Sequence, residues 1–152
     1  MAEVRSAVVL LHDKDNFILE KRPDLPGKLA YAGKLQLLGG HAEEGELAID
    51  AAAREIGEET TLSPEPAALE EVWSGEFEGR DRYDQPITRE VSVYALALTR
   101  LGSETLRLCE QGELVKVAKT PETIEEYNDI MTPFALAVLQ GYVKGEQPRF
   151  SE

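Results

Sequence analysis

Basic residues, cysteine and long apolar stretches are all scarce in this sequence, and each scarcity excludes a class of protein. Lys and Arg contribute 16 residues against 29 Asp and Glu residues, which gives a formal net charge of -13. So negative a chain repels a nucleic-acid polymer, and we expect neither DNA nor RNA as a partner. A small phosphorylated ligand meets the same repulsion, so its binding would need metal ions or a local basic patch.

The single cysteine, Cys109, cannot form a disulfide within the chain, which suits a reducing compartment. The longest apolar stretches are far shorter than a membrane span, and no segment has the basic start, apolar stretch and small-residue cleavage site of a signal peptide. We therefore expect a soluble cytoplasmic protein that has no membrane partner. Homodimers are the commonest oligomers, but the sequence shows no interface, so the oligomeric state stays open.

The composition, 42% apolar and 30% charged residues, is ordinary for a globular protein, and 152 residues suit a single domain over residues 1–152. Strands are predicted at residues 4–12, 17–21, 35–38, 68–78, 87–99 and 114–118. Helices are predicted at 47–59 and 132–143, the second with Phe134, Ala137, Val138 and Val143 as its buried stripe, and Thr120-Pro121-Glu122 resembles another helix start. This order predicts the α+β class.

Three carboxylates share one face of the helix predicted at 47–59. Glu55 lies three and four residues before Glu58 and Glu59, so the side chains are neighbours. Like charges at these spacings destabilise a helix, and the helix dipole disfavours anions at the C-terminus. Divalent cations are the simplest compensation, since Mg²⁺ is bound by carboxylate oxygens together with substrate phosphates. The alternative is a solvated face rich in glutamate.

Arg54 and Glu46 predict a different role. Arg54 is the nearest cation to the three carboxylates, and we expect it to pair with Glu46 and so to hold the preceding loop on the helix. Gly39 and Gly40 would permit a tight turn at the end of the strand, where a backbone carbonyl can approach a metal ion.

This stretch resembles the Nudix box, in which Gly, Glu, Arg-Glu and Glu-Glu recur at fixed spacings. The matching residues are Gly40, Glu46, Arg54, Glu55, Ile56, Glu58, Glu59 and Leu62. At average residue usage the polar and glycine matches arise by chance on the order of once per million positions, which decides against the solvated face. Thr61 departs from the pattern, because the family has a glycine there that ends the helix, so the exit from the helix is expected to differ.

The resemblance to Nudix hydrolases implies a fold, a reaction and a cofactor. The fold would be an α/β/α sandwich around a mixed sheet. The reaction would be hydrolysis of a nucleoside diphosphate linked to another moiety, with Mg²⁺ or Mn²⁺ as cofactor and water attacking one phosphorus. Metal ligation would come from Glu55, Glu58 and Glu59 with the carbonyl of Gly39 or Gly40, while Glu46 and Arg54 would hold the loop.

The resemblance leaves the general base open between the box and a later loop. Glu58 is the first candidate within the box, beside Glu55. Glu110 resembles the later-loop carboxylate that some relatives bring to the metal ions, although an ordinary loop glutamate is the alternative.

The substrate-binding residues are the least determined part of the site. Arg22, Lys28 and Lys34 are candidates for phosphate or base contacts, with surface cations as the alternative. Tyr31, Trp73, Phe77, Tyr83 and Tyr94 could stack on a base, but packing in the core is favoured. Asn128 and Asp129 could recognise the edge of a base, but a structural role in the N-terminal turn of the last helix is favoured.

Candidate substrates are a modified nucleoside triphosphate, a dinucleoside polyphosphate and a nucleotide sugar. The alternative function is a non-catalytic module of the same fold that senses a nucleotide or binds a protein. The intact Arg-Glu and Glu-Glu pairs favour the enzyme, since a binding module has no physical reason to keep them. A metal-dependent isomerase on this fold would need acid and base residues that the sequence does not reveal.

Overall fold

A mixed β-sheet is the centre of the fold. The computed structural model describes residues 4–23, 33–80, 83–109 and 112–150. Within them the strands are β1 (Val4–His12), β2 (Asn16–Lys21), β3 (Leu35–Gln36), β4 (Leu38–His41), β5 (Glu70–Arg80), β6 (Pro86–Ala97) and β7 (Glu113–Ala118). The order is β3-β2-β1-β6-β5, with β4 also paired to β1 and β7 to β2. Strands β1 and β6 run parallel, while the other pairs are antiparallel.

Strand β1 lies in the middle of the sheet because it is apolar on both faces. Ala7, Val9 and Leu11 are fully buried in one core, and Leu10 is fully buried in a second core on the opposite face. A strand that reads as a continuous apolar run is typical of such a position, and the prediction that it is covered on both faces is confirmed.

Helices cover both faces of the sheet. They are α1 (Ala48–Glu59), α2 (Arg100–Thr105), α3 (Pro121–Glu126) and α4 (Pro133–Lys144). The alanines and Ile56 of α1 fill the first core, and α4 fills the second. The expected sandwich in the α+β class is therefore confirmed. Across the described ranges, no helix has both the length and the apolarity needed to cross a membrane.

Helix α4 buries a wider stripe than the predicted one. The predicted Ala137 and Val138 are buried, together with Ala135, Leu139 and Gly141. The predicted Phe134 and Val143 are partly buried and pack against the same core. Phe134 also stacks on Phe150 from the C-terminal segment, with ring centroids 5.2 Å apart.

The predicted single strand at 35–38 is two strands. Leu35 and Gln36 pair with β2, while Leu38 pairs with Val9 of β1. The change of partner occurs at Leu37. As a result Gly39 and Gly40 lie inside β4, opposite β1, rather than in a turn after the strand.

Helix α1 ends without a left-handed residue. The cap, Thr60, is extended at φ -133°, and both its N–H and its Oγ1 donate to the carbonyl of Ile56, at 3.0 and 2.8 Å. Thr61 then exchanges hydrogen bonds with Arg107, from N–H to carbonyl at 3.0 Å and back to the Thr61 hydroxyl at 3.1 Å. Thr61 thus follows an extended exit from the helix, in place of the left-handed exit for which the family uses glycine.

Candidate active site

Gly39 occupies a position that only glycine can fill. Its φ is +139°, and a Cβ there would lie 2.3 Å from the carbonyl oxygen of Ala7 on the neighbouring strand. Its N–H donates to Glu59 Oε1 at 2.9 Å. The backbone of β4 therefore contacts β1 closely on one side and holds a helix carboxylate on the other.

Gly40 forms a second contact of the same kind. A Cβ on Gly40 would lie 2.5 Å from the carboxylate carbon of Glu55, so the Glu55 carboxylate packs directly on the bare Cα. The two glycines thus place two carboxylates of α1 against the backbone of β4. Glu55 and Glu59 both line a single open cleft of about 990 Å³.

Arg54 binds the loop before α1 to the helix. Its Nε and Nη2 donate to both oxygens of Glu46, at 2.9 and 3.0 Å, so the expected pair is present. Nη2 also donates to the carbonyl of His41 at 3.0 Å. Hydrogen bonds from Arg54 and from the Glu43 N–H hold the pKa of Glu46 at about 2, and the Glu46 carboxylate raises the pKa of Arg54.

Glu58 differs from its two neighbours on the helix face. Its side chain is 58% exposed and accepts a hydrogen bond from Arg54 Nη1 at 3.1 Å, as Glu55 also does. Among the residues that the structure describes, no three His, Cys, Asp or Glu side chains converge as a metal site. Because Mg²⁺ is commonly held by one or two carboxylates with substrate phosphates and water, Glu55 and Glu59 in the lining of the cleft are a donor set that fits.

Apolar and cationic side chains also line the cleft. Phe77, Ile87, Val91 and Phe134 contribute apolar surface. Three arginines, Arg22, Arg80 and Arg89, also line it. A cleft with carboxylates, cations and aromatic rings can hold a charged ligand that carries a planar group.

Of the candidate substrate cations, the structure places Arg22 in the cleft. Lys34 instead donates to the backbone carbonyl of Asp129, and Lys28 lies outside the described residues. Sequence reasoning missed Arg80 and Arg89, because they lie on β5 and β6, far along the chain from the box.

The aromatic candidates divide between the cleft and the core. Phe77 and Tyr83 line the cleft, and Phe134, which sequence reasoning assigned to the core, lines it too. Trp73 packs on Phe134 and Phe150, and Tyr94 is buried in the core beside α1. Tyr31 lies outside the described residues.

The other late residues take local positions. Asn128 and Asp129 form a short 3-10 turn, in which the Asn128 amide donates to Glu125. Glu110 lies outside the described residues, but Cys109 before it donates its N–H to the carbonyl of Glu59 at 2.8 Å. Cys109 is therefore held at the end of the helix that carries the carboxylates.

Comparison with solved structures shows a shared fold. A MutT protein from Methanosarcina mazei Go1 is 18% identical over 93% of this chain and 94% of that one, with a TM-score of 0.71. The dihydroneopterin triphosphate pyrophosphohydrolase of E. coli is 22% identical over 95% and 97% of the two chains, with a TM-score of 0.64. A bifunctional NMN adenylyltransferase/ADP ribose pyrophosphatase from Francisella tularensis, complexed with AMP and a Mn ion, has a TM-score of 0.68 at 16% identity, over 93% of this chain but 41% of that one.

The family assignment comes from the sequence of nearly the whole chain. Residues 2–139 match the family model of the NUDIX domain. This range contains the two glycines of β4, the loop bound by Arg54 and the carboxylates of α1. The chain belongs to the Nudix family.

Proposed function

We propose that this protein hydrolyses a pyrophosphate bond in a nucleoside diphosphate linked to another moiety, and that it uses Mg²⁺, with Mn²⁺ as a substitute. The observation that carries the proposal is the packing of Glu55 and Glu59 on the bare backbone of Gly40 and Gly39, in the lining of a cleft. Carboxylates that are fixed by backbone contacts lose little entropy when they bind a cation, and they sit where a phosphate chain could reach them.

The helix carboxylates and the loop have separate roles in this proposal. Glu55, Glu58 and Glu59 would hold the metal, aided by a carbonyl of Gly39 or Gly40. Bound there, a divalent cation would offset the charge of the diphosphate, polarise the phosphorus and lower the pKa of a bound water. The bidentate pair of Arg54 with Glu46 fixes the loop between β4 and α1, so that the glycines keep their contacts with the carboxylates.

For the general base, Glu58 within the box and Glu110 after it are the two candidates. One oxygen of Glu58 accepts a hydrogen bond from Arg54, and its side chain points largely to solvent. Glu110 follows Cys109, whose N–H is bonded to the carbonyl of Glu59. A base must lie within hydrogen-bond reach of the attacking water, so the loss of kcat on substitution decides between the two carboxylates.

The substrate is a small nucleotide-type molecule, and the aromatic side of the cleft supports this choice. Phe77 and Phe134 present ring surface, with ring centroids 4.7 Å apart, and Arg22 supplies a cation. A modified nucleoside triphosphate, a dinucleoside polyphosphate and a nucleotide sugar all combine a base with a diphosphate. Their hydrolysis in the cytoplasm agrees with the single cysteine.

A substrate panel tests the proposal. The three classes of compound are incubated with enzyme and Mg²⁺, and released phosphate, pyrophosphate and nucleoside monophosphate are measured separately. We expect turnover of at least one class, its loss in EDTA and its return with Mg²⁺ or Mn²⁺. Turnover that ignores chelation contradicts the metal mechanism, and binding without turnover in any class supports the non-catalytic nucleotide-binding module instead.

Variants in the same assay assign the residues. Glu55→Gln and Glu59→Gln should each lower kcat by ~100-fold or more, since they remove metal-binding charge. Glu110→Gln should lower kcat by ~10-fold or more if Glu110 is the base, whereas Glu58→Gln would show the larger loss if the base lies in the box. The exposed Glu104, which pairs with Arg100, supplies the control Glu104→Gln, expected to keep full activity.

A further inference from the structure

Three polar side chains form a hydrogen-bonded row in the lining of the cleft. Arg22 Nη1 donates to Gln36 Oε1 at 3.0 Å, and Gln36 Nε2 donates to Glu20 Oε1 at 3.1 Å. All three residues line the cleft that also contains Glu55 and Glu59. Only Arg22 has a place in the proposed function.

The row follows from strand register. Glu20 on β2 is the partner of Gln36 on β3, so their side chains project from the same face of the sheet. Glu20 is a carboxylate with 5% exposure, and burial of such a group is costly unless hydrogen-bond donors reach it. Gln36 supplies one of these donors from the neighbouring strand.

Its two neighbours determine which way the Gln36 amide points. If the amide were turned over, its oxygen would face the Glu20 carboxylate and its NH₂ group would face the Arg22 guanidinium. Both contacts would then be repulsive, because carboxylates only accept and guanidinium groups only donate. Glu20 therefore orients Gln36 so that the amide oxygen is presented to Arg22.

The backbone of Arg22 is held as well. Its N–H donates to the carbonyl of Lys34 at 3.0 Å, and Pro23 restricts the conformation of the residue before it. A long, flexible cation that is fixed at backbone and side chain loses less freedom when an anion binds. The geometry thus prepares Arg22 for an anionic group in the cleft.

We propose that Gln36 is a positioning residue which, oriented by Glu20, holds the Arg22 guanidinium for a phosphate of the substrate. The proposal rests on the function proposed above, since it needs a substrate that carries phosphate. Gln36 and Glu20 act through Arg22, and the effect of changing them belongs in substrate binding rather than in the chemical step.

A double-mutant cycle tests this dependence. Gln36→Met removes both hydrogen bonds at similar volume, and it should raise KM by about 5–20-fold with kcat within about two-fold of wild type. Arg22→Met should raise KM by at least as much. The double variant should match Arg22→Met alone, because Gln36 has nothing left to position. A full extra KM increase in the double variant would show that Gln36 contacts substrate itself, and would overturn the proposal, as would an unchanged KM in Gln36→Met.

Two further variants separate positioning from a general loss of structure. The exchange of Glu20→Gln with Gln36→Glu keeps one carboxylate and one amide in the row, and it places the carboxylate, which also accepts hydrogen bonds, beside Arg22. It should return KM to within about two-fold of wild type. A KM that stays high while Tm is unchanged would contradict the role of the row in positioning Arg22. Lys21→Met is the matched cation control, since Lys21 adjoins Arg22 but pairs with Glu113 at 3.6 Å, and KM should not change.

Binding of ADP with Mg²⁺, measured by calorimetry on the same variants, separates this inference from the proposed function. If the wild type hydrolyses a panel substrate but the effects of Gln36→Met and Arg22→Met add up in the double variant, only the inference about Gln36 is overturned. ADP binding with the predicted cycle, but no hydrolysis of any panel substrate, would overturn the catalytic proposal alone. If the wild type neither hydrolyses the panel nor binds ADP with Mg²⁺, both fall.

Discussion

Two charged clusters near the two ends of β1 are built in opposite ways. Near its start, Arg5 donates to the carbonyl of Glu46, whose carboxylate is bound by Arg54. In this cluster Arg54 pairs with three carboxylates, Glu46, Glu55 and Glu58, and the opposite charges stabilise one another. The pKa of Glu46 is lowered to about 2 by its hydrogen bonds, and that of Arg54 is raised.

At the far end of β1 the neighbours are both bases. His12 Nδ1 lies 2.9 Å from Lys119 Nζ, and its Nε2 lies 3.4 Å from the Tyr142 hydroxyl. Burial, and then the charge of Lys119, lower the pKa of His12, while burial lowers that of Lys119. Two cations cannot share this place, so the ammonium donates to a neutral imidazole.

The two clusters differ in whether the fold stabilises ionised or neutral side chains. Opposite charges surround the proposed catalytic helix, where charge is needed and a metal ion would add more of it. At the other end, the fold keeps a histidine neutral by burial beside a lysine. The two clusters should therefore respond to substitution and to acid in different ways.

Breaking the cluster around Arg54 has the largest expected effect. Arg54→Lys removes the planar fork that reaches Glu46, the His41 carbonyl and Glu58 at once. We expect kcat/KM to fall by about 10–100-fold, since groups that orient ligands commonly contribute that much, and Tm to fall by about 5 °C. Kinetics with the best panel substrate and thermal unfolding measure the two effects.

Arg100→Lys is the matched control for that change. Arg100 also pairs with a glutamate four residues later, Glu104 at 3.0 Å, but its side chain is almost fully exposed. Exposed pairs contribute little, so activity and Tm should stay near wild type. Equal losses in the two variants would contradict a special role for Arg54.

The next effect in size is the pH dependence of the stability that Glu46 contributes. Its pKa falls from 4.5 in the unfolded chain to about 2 in the fold, so its contribution to stability is complete above pH 4.5 and is lost as pH falls from 4.5 through about 2. Glu46→Gln lacks that contribution at every pH. The Tm difference between wild type and variant should therefore be constant near pH 6 and shrink below pH 4.5, and a difference that stays constant to pH 2 would contradict the assignment.

The sequence predicts best where the physical cause is local. The apolar run of β1 and the spacing of Ala52 and Ile56 on α1 depend on neighbours within a few residues, and both elements are confirmed. Helix α2 was not predicted because its stability comes from contacts. Thr99 caps it, and Ser103 donates to Asp13 at 2.7 Å from a distant turn.

The candidate site also has a part that the sequence predicts and a part that depends on contacts between distant segments. The spacing of Glu55, Glu58 and Glu59 is visible in the sequence because one helix carries all three, although the turn of Glu58 toward Arg54 is not. Phe134 and Arg89 join the cleft only through the arrangement of the sheet and α4. The row from Glu20 to Arg22 depends on the register of β2 with β3, which the residues of either strand alone do not determine.

The His12 cluster should produce the smallest effect. Its folded pKa lies below the ordinary 6.5, so as pH falls through 6.5 the unfolded chain takes up a proton first and the fold loses stability. Lys119→Met removes the neighbouring charge but not the burial, and should bring the His12 pKa part of the way back toward 6.5. The chain has two histidines, so ring-proton NMR titration can follow His12 with His41 as the internal reference. An unchanged His12 titration would show that burial alone lowers its pKa, whereas a rise confined to His12 would confirm that the lysine contributes.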